Sequence, residues 1–143
     1  MACRAVGAGA GRYRVPVRIA AVVAAALLGV IAAFQLALAL GMPARGMAWG
    51  GQYEGTLPVG LRITSGVAGV VIYPLATLLI LEAAGMTDFE IIPDVGPVGM
   101  WVFTGLFALG GLLNLVSRSK AERVWAPVSM VIAVCCGIVA ASL

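Results

Sequence analysis

The chain has 143 residues, of which 62% are hydrophobic and only 10% are charged, whereas soluble domains carry about 25% charged residues. This composition indicates an integral membrane protein, and the small net charge of +3 does not predict nucleic-acid binding. The chain contains no histidine, which excludes imidazole-based acid–base catalysis and the zinc and haem sites that need imidazole ligands.

The chain begins with a Gly-, Ala- and Arg-rich segment, residues 1–16, which we predict to be a flexible basic tail. An apolar run over residues 17–41 follows and is long enough, at 1.5 Å per residue, to cross a hydrocarbon core about 30 Å thick. Its basic flank resembles that of a cleavable signal, but signal peptides have apolar cores of roughly 7–15 residues. We therefore expect the first helix to be retained.

Small residues recur at every fourth position of this first helix, among them Ala25, Gly29 and Ala33. In lipid, helices associate through close backbone approach along such residues. We expect this face to pack against another helix. Ala133 and Gly137 belong to a similar row in the last apolar run.

The segment from residue 41 to residue 62 is the long stretch that is neither a plain apolar helix nor a short connector, and it contains glycines, prolines, aromatic residues and charges. A second helix follows over residues 61–82, and Pro74 near its middle predicts a kink. The next connector, residues 83–97, carries Asp88, Glu90 and Asp94 without the spacing of a calcium loop. We interpret it as a solvated acidic turn, and we predict no metal site and no cofactor.

A third helix is predicted over residues 98–116 and a fourth over residues 125–143, joined by a basic connector. The predicted fold class is therefore all-α: a polytopic membrane protein with one four-transmembrane-helix bundle, residues 17–143. Four arginines at the N-terminal end of the chain, Arg4, Arg12, Arg14 and Arg18, favour a cytoplasmic N-terminus in the cell membrane, inner or plasma.

With four membrane spans, the first and third connectors must lie on the same side of the membrane. This parity brings together polar and aromatic side chains that we predict to form a ligand or partner face. The residues of this face are Trp49, Gln52, Tyr53, Glu54, Arg62, Asn114, Arg118, Glu122 and Arg123. It would accept a lipid headgroup or a partner's extramembrane segment; alternatively, these side chains only anchor helix ends and pair with one another.

Several short motifs resemble a family of small bacterial four-helix integral membrane proteins of unknown function. They are Ala48-Trp49-Gly50-Gly51, Leu57-Pro58, Arg62, Asn114, Ser117-Arg118-Ser119 and Glu122-Arg123. The resemblance covers roughly residues 34–127. It implies a four-helix fold in which the two connectors matter, and it implies no reaction.

These observations favour a non-enzymatic accessory or assembly subunit that acts through helix packing and through its first and third connectors. Its partners would be membrane lipid and a membrane protein or a second copy of the chain. A small homo-oligomeric transporter or channel for a small or amphiphilic solute is the alternative, although the helix centres lack the ionisable residue that coupled transport usually needs. A lipid-modifying enzyme is a third hypothesis, with Glu54 and Glu122 as its candidate acid–base groups; we predict no catalytic residue.

Overall fold

The computed structural model describes residues 7–87 and 95–143, with side chains from residue 14 onward. These residues form four long helices, which we call α1 (Gly7–Ala39), α2 (Val59–Ala83), α3 (Gly96–Leu115) and α4 (Trp125–Ala140). Each is long and apolar enough, alone or with its flanking turn, to cross a membrane. The prediction of an all-α fold with four membrane-length helices is confirmed.

Helix α1 starts earlier than the sequence predicted. Residues 7–16, assigned to a flexible tail, continue the helix, and Pro16 lies inside it. Alanine and arginine are good helix formers, and a proline removes only one backbone hydrogen bond from a long helix. Residues 1–6 of the predicted tail lie outside the described part of the chain, as does the predicted acidic turn with Asp88, Glu90 and Asp94.

Helix α2 changes its winding next to Pro74. Residues Ala68–Ile72 form a π-helical turn that joins the α-helical segments Val59–Val67 and Tyr73–Ala83. Proline lacks an N–H and its ring clashes with the carbonyl four residues earlier, and a widened turn accommodates both defects. The sequence predicted a kink at Pro74, and the structure has a π-helical turn immediately before this proline.

Glycine at position 69 allows α1 and α2 to approach closely. A Cβ atom there would lie 2.9 Å from Cγ of Leu36 and 3.0 Å from the carbonyl oxygen of Ala32. Gly111 has the same role between α3 and α4, where a Cβ would lie 2.7 Å from Sδ of Met130. A side chain at position 69 would therefore press on the backbone of α1, whereas one at position 111 would require the Met130 side chain to move.

The core of the bundle lies where the four helices meet. Leu28, Ile80, Met100 and Ile132, one from each helix, are completely buried there. The outer surface is apolar as well; Leu106 on α3, for example, is 59% exposed. A surface of this kind is unfavourable in water and suits contact with lipid.

The four-residue row of small side chains on α1 is not its packing face within the chain. Ala21 is buried, Ala25 is half-buried, and Gly29 and Ala33 are exposed. Successive α-helical residues are about 100° apart, so a strict four-residue row drifts by about 40° per step and winds away from the core. On α4, Ala133 is buried.

The last member of the predicted packing set, Gly137, is half-buried on α4. A Cβ atom at this position would lie 3.7 Å from the Thr104 methyl group of α3, which is ordinary van der Waals contact. This part of α4 therefore faces α3.

Candidate functional site

The first connector, residues 41–58, folds back on itself. The backbone N–H groups of residues 44, 45 and 46 donate to the carbonyls of residues 55, 54 and 53, at 2.9–3.2 Å. Beneath this narrow loop, Ala44, Ala48 and Leu57 pack around Leu38 of α1 in a small second core. The connector is therefore an ordered structure seated on the helix ends.

The backbone of the first connector is strained at its tip. Trp49 has a φ of 56° and Arg45 a φ of 48°, although neither is glycine. Bulky residues rarely adopt this left-handed conformation, which costs of order 1–3 kcal/mol and persists only where surrounding contacts impose it.

Glu122 supplies part of that constraint from the third connector, residues 117–124. Its side chain is buried, with 8% exposed. Oε1 accepts a hydrogen bond of 2.9 Å from the backbone N–H of Gly50, and Oε2 accepts one from the Ser117 hydroxyl. A carboxylate that accepts bonds from both connectors holds them in one arrangement.

A second contact between the connectors depends on glycine. The Ser119 hydroxyl donates to the carbonyl of Gly46 at 2.6 Å. Gly51 has a φ of +70°, and a Cβ atom on it would lie 2.2 Å from Cβ of Ser119. Any other residue at position 51 would have to push the two connectors apart.

Trp125 anchors the joined connectors to the bundle. Its indole N–H donates to the carbonyl of Met47 at 2.9 Å. Its ring packs on Phe34 of α1 with a centroid distance of 4.7 Å and an interplanar angle of 43°. We call the resulting rigid unit, residues 41–58 and 117–124, the connector platform.

A cavity of about 260 Å³ lies beneath the connector platform. Side chains from all four helices and from both connectors line it. The polar members are Gln35, Tyr73, Asn114, Glu122 and Ser129, and the aromatic members besides Tyr73 are Phe34, Trp49 and Trp125. Trp49 is 37% exposed, so the cavity reaches the protein surface beside the first connector.

Gln35 is a polar residue of the cavity wall whose side-chain oxygen is unpaired in the described part of the chain. Its Oε1 atom is buried and makes no hydrogen bond within the described residues. The Tyr73 hydroxyl is a neighbour of the Gln35 amide, but it does not reach hydrogen-bond geometry with Oε1. Most buried acceptors in proteins are paired, so this oxygen has an unmet capacity to accept a proton donor.

The structure distributes the predicted site residues over three locations. Trp49, Asn114 and Glu122 meet at the cavity. Gln52, Glu54, Arg118 and Arg123 are exposed on the connector platform. At the third location, where the first connector meets the ends of α1 and α2, Tyr53 packs beneath the connector and Arg62 contacts the end of α1.

Tyr53 is half-buried against the second core under the first connector. Arg62 has a structural role, because its Nε donates to the carbonyl of Ala39 at 3.0 Å and thereby satisfies a free carbonyl at the end of α1. Arg123 also makes a local contact, since its Nε donates to the carbonyl of Ser117 at 2.9 Å.

The cavity contains residues that the sequence did not place in a common site, namely Phe34, Gln35, Tyr73 and Trp125. They come from three different helices, and a single sequence does not reveal which faces of those helices meet. One signal was present: Gln35 is the one strongly polar side chain within the first apolar run.

The opposite end of the bundle contains a larger cavity of about 400 Å³, lined in part by Arg14, Arg18 and Leu143. Both arginines are exposed. Basic side chains at a helix end attract anionic headgroups, so this end resembles a lipid-contact surface more than an enclosed site.

Comparisons of the chain with protein-family models, with curated proteins and with solved structures found no match. Its membership of a family of small bacterial four-helix membrane proteins therefore stays a prediction.

Proposed function

We propose that this chain is a non-enzymatic accessory or assembly subunit of a membrane complex, and that the connector platform is the surface its partner recognises. The observation that carries the proposal is the buried Glu122 carboxylate, which joins the two connectors while Trp49 remains 37% exposed on them. A surface that is already ordered loses little conformational entropy when it binds. Tryptophan and arginine are also the residues that most often dominate protein interfaces.

The charges of the connector platform favour an acidic partner segment. Its exposed side chains include four cations, Arg45, Arg118, Lys120 and Arg123, against one exposed carboxylate, Glu54. Complementary charge mainly accelerates association and orients the partner. With a cytoplasmic N-terminus, which we also propose, the platform lies on the outer side of the cell membrane.

Helix α1 offers a second contact within the membrane. Gly29 and Ala33 are exposed, and a Cβ atom on Gly29 would meet nothing within 4 Å. A partner helix would meet no large side chain at these two positions, which favours close packing in lipid.

A photoreactive residue at position 49 tests the proposal in intact cells. We expect Trp49→benzoylphenylalanine to form a covalent adduct with one discrete protein on irradiation. Trp101, on α3 and 53% exposed, is the matched control position and should not form that adduct. Adducts with lipid alone at position 49, or the same protein captured at both positions, would contradict the proposal.

A membrane-impermeant maleimide tests the proposed orientation. Glu54 is exposed on the platform, so Glu54→Cys, in a chain that also carries Cys3→Ser, should react in intact cells if the platform faces outward. Labelling that appears only after the membrane is opened would place the N-terminus outside.

A small transporter or channel is the second candidate function, and the cavity of about 260 Å³ beneath the platform favours it. A polar cavity at one end of a bundle would be the entry site of a solute. Flux of a bound solute into vesicles containing the purified chain would support this candidate. Vesicles that bind the solute without moving it would argue against it.

A further inference from the structure

We propose that the cavity beneath the connector platform binds a small organic cation, a protonated primary or secondary amine that carries an apolar group. This inference concerns the ligand chemistry of the cavity, and it does not require the partner or the transport activity proposed above. Charge, aromatic lining and an unpaired acceptor each support it.

The charge of the lining favours a cation. Among the described residues, Glu122 is the only acidic residue of the lining, and none of them that lines the cavity is a lysine or an arginine. A carboxylate has about four acceptor positions, and Glu122 uses two of them for Gly50 and Ser117. In a cavity that is partly enclosed by protein, the remaining negative potential attracts a cation and repels an anion.

The aromatic lining favours a cation that is organic. Phe34, Trp49, Tyr73 and Trp125 all line the cavity. Aromatic faces attract ammonium groups, most strongly when these are desolvated, and they also pack against apolar substituents. A metal ion would gain little from such walls, whereas an amine bearing a ring or a short chain would use both properties.

The unpaired acceptor distinguishes an amine that has N–H groups from a quaternary ammonium. Oε1 of Gln35 is buried without a hydrogen bond in the described structure, and Gln35 lines the cavity. A ligand N–H would satisfy this oxygen, and such a bond to a charged donor is stronger than a neutral one. A quaternary ammonium has no hydrogen to donate.

The size of the cavity limits the ligand to a small molecule. Sites for drug-sized ligands usually measure about 300–1,000 Å³, and this cavity measures about 260 Å³. Benzylamine is therefore a suitable probe. Benzyl alcohol and benzoate carry the same ring with a neutral and an anionic group.

The experiment is a titration of the full chain in phosphatidylcholine nanodiscs, followed by tryptophan fluorescence, since Trp49 and Trp125 line the cavity. Empty nanodiscs correct for partition into lipid. We expect saturable binding of benzylamine, at least about tenfold tighter than that of benzyl alcohol, and no binding of benzoate. Equal affinities for the amine and the alcohol, a preference for benzoate, or no saturable amine binding up to 10 mM would overturn the proposal.

Variants then assign the binding to this cavity. Gln35→Met and Glu122→Gln should each weaken benzylamine binding by at least about tenfold, whereas Glu54→Gln, exposed on the platform, should not change it. If Glu122→Gln does not fold, the Gln35→Met result decides. Benzyltrimethylammonium should bind more weakly than benzylamine. Full affinity in Gln35→Met, or equal affinity for the two cations, would overturn the proposal.

Discussion

Replacing Glu122 with alanine should release the first connector from the third. The substitution removes the acceptor of the Gly50 N–H, at 2.9 Å, and the acceptor of the Ser117 hydroxyl. Hydrogen bonds to charged groups contribute about 1.5–3 kcal/mol each, so the pair sets an upper range of about 3–6 kcal/mol.

Hydrogen bonds to water should compensate for part of that free energy. Gly50 is exposed and Ser117 is half-buried, so both donors can bind solvent once the carboxylate is gone. We therefore expect the docked state of the connector to become less stable, relative to its open state, by about 2–4 kcal/mol. Glu122→Gln retains an acceptor for Gly50 and gains a donor for Ser117, and it should cost only about 1 kcal/mol, since neutral bonds replace charged ones.

Hydrogen exchange followed by mass spectrometry measures this effect locally. The amides of residues 44 and 46 bond across the first connector, and they exchange when it opens. A loss of 2–4 kcal/mol corresponds to exchange about 30- to 1,000-fold faster in Glu122→Ala. Peptides from the centre of α4 should exchange as in the unchanged protein.

Glu54→Ala is the matched control, because Glu54 is an exposed carboxylate on the same platform. It should leave exchange over residues 44–55 within threefold of the original rate. If Glu122→Ala also leaves the rate within that range, Glu122 does not hold the connectors together and the reasoning is refuted.

Three further substitutions test the close contacts by unfolding in increasing SDS. Gly51→Ala should lower the free energy of unfolding by more than about 2 kcal/mol, because its Cβ would overlap the third connector and its φ is positive. Gly55→Ala is the control: its Cβ would have nothing within 4 Å, so the free energy of unfolding should hardly change. Gly69→Ala should destabilise by about 1–3 kcal/mol through overlap with α1, whereas Gly105→Ala, with an open position, should be neutral or slightly stabilising. Trp125→Phe removes the indole donor and should cost about 1 kcal/mol. Equal effects of a glycine variant and its control, or an unchanged stability of Trp125→Phe, would contradict the assigned contact.

The helices were predictable because their cause is local. A long run of apolar residues with few charges is sufficient to specify a membrane-length helix, and the bounds predicted for α3 and α4 agree with the structure to within about three residues. The start of α1 was not predictable in this way, because Pro16 and the glycines before it are typical of a tail and yet are tolerated inside the helix.

The meeting of the first and third connectors followed from parity alone, and the structure confirms it through the contacts of Glu122 and Ser119. The contacts themselves were not predictable. Gly51 and Ser119 are 68 positions apart by sequence number, and nothing local indicates that one must be small because the other lies against it. The sequence did not predict which face of α1 packs inside the chain. The row of Ala25, Gly29 and Ala33 has a strict four-residue spacing, which turns by about 40° per step around the helix and so leaves the core.

The mass of the intact complex released directly from native membranes tests the central claim most directly. If the connector platform is a partner-binding surface, the chain should be recovered in a heteromeric assembly, and Glu122→Ala should reduce the amount of that assembly while the chain itself stays in the membrane. A bare monomer or a homo-oligomer, unchanged by Glu122→Ala, would contradict the accessory-subunit account.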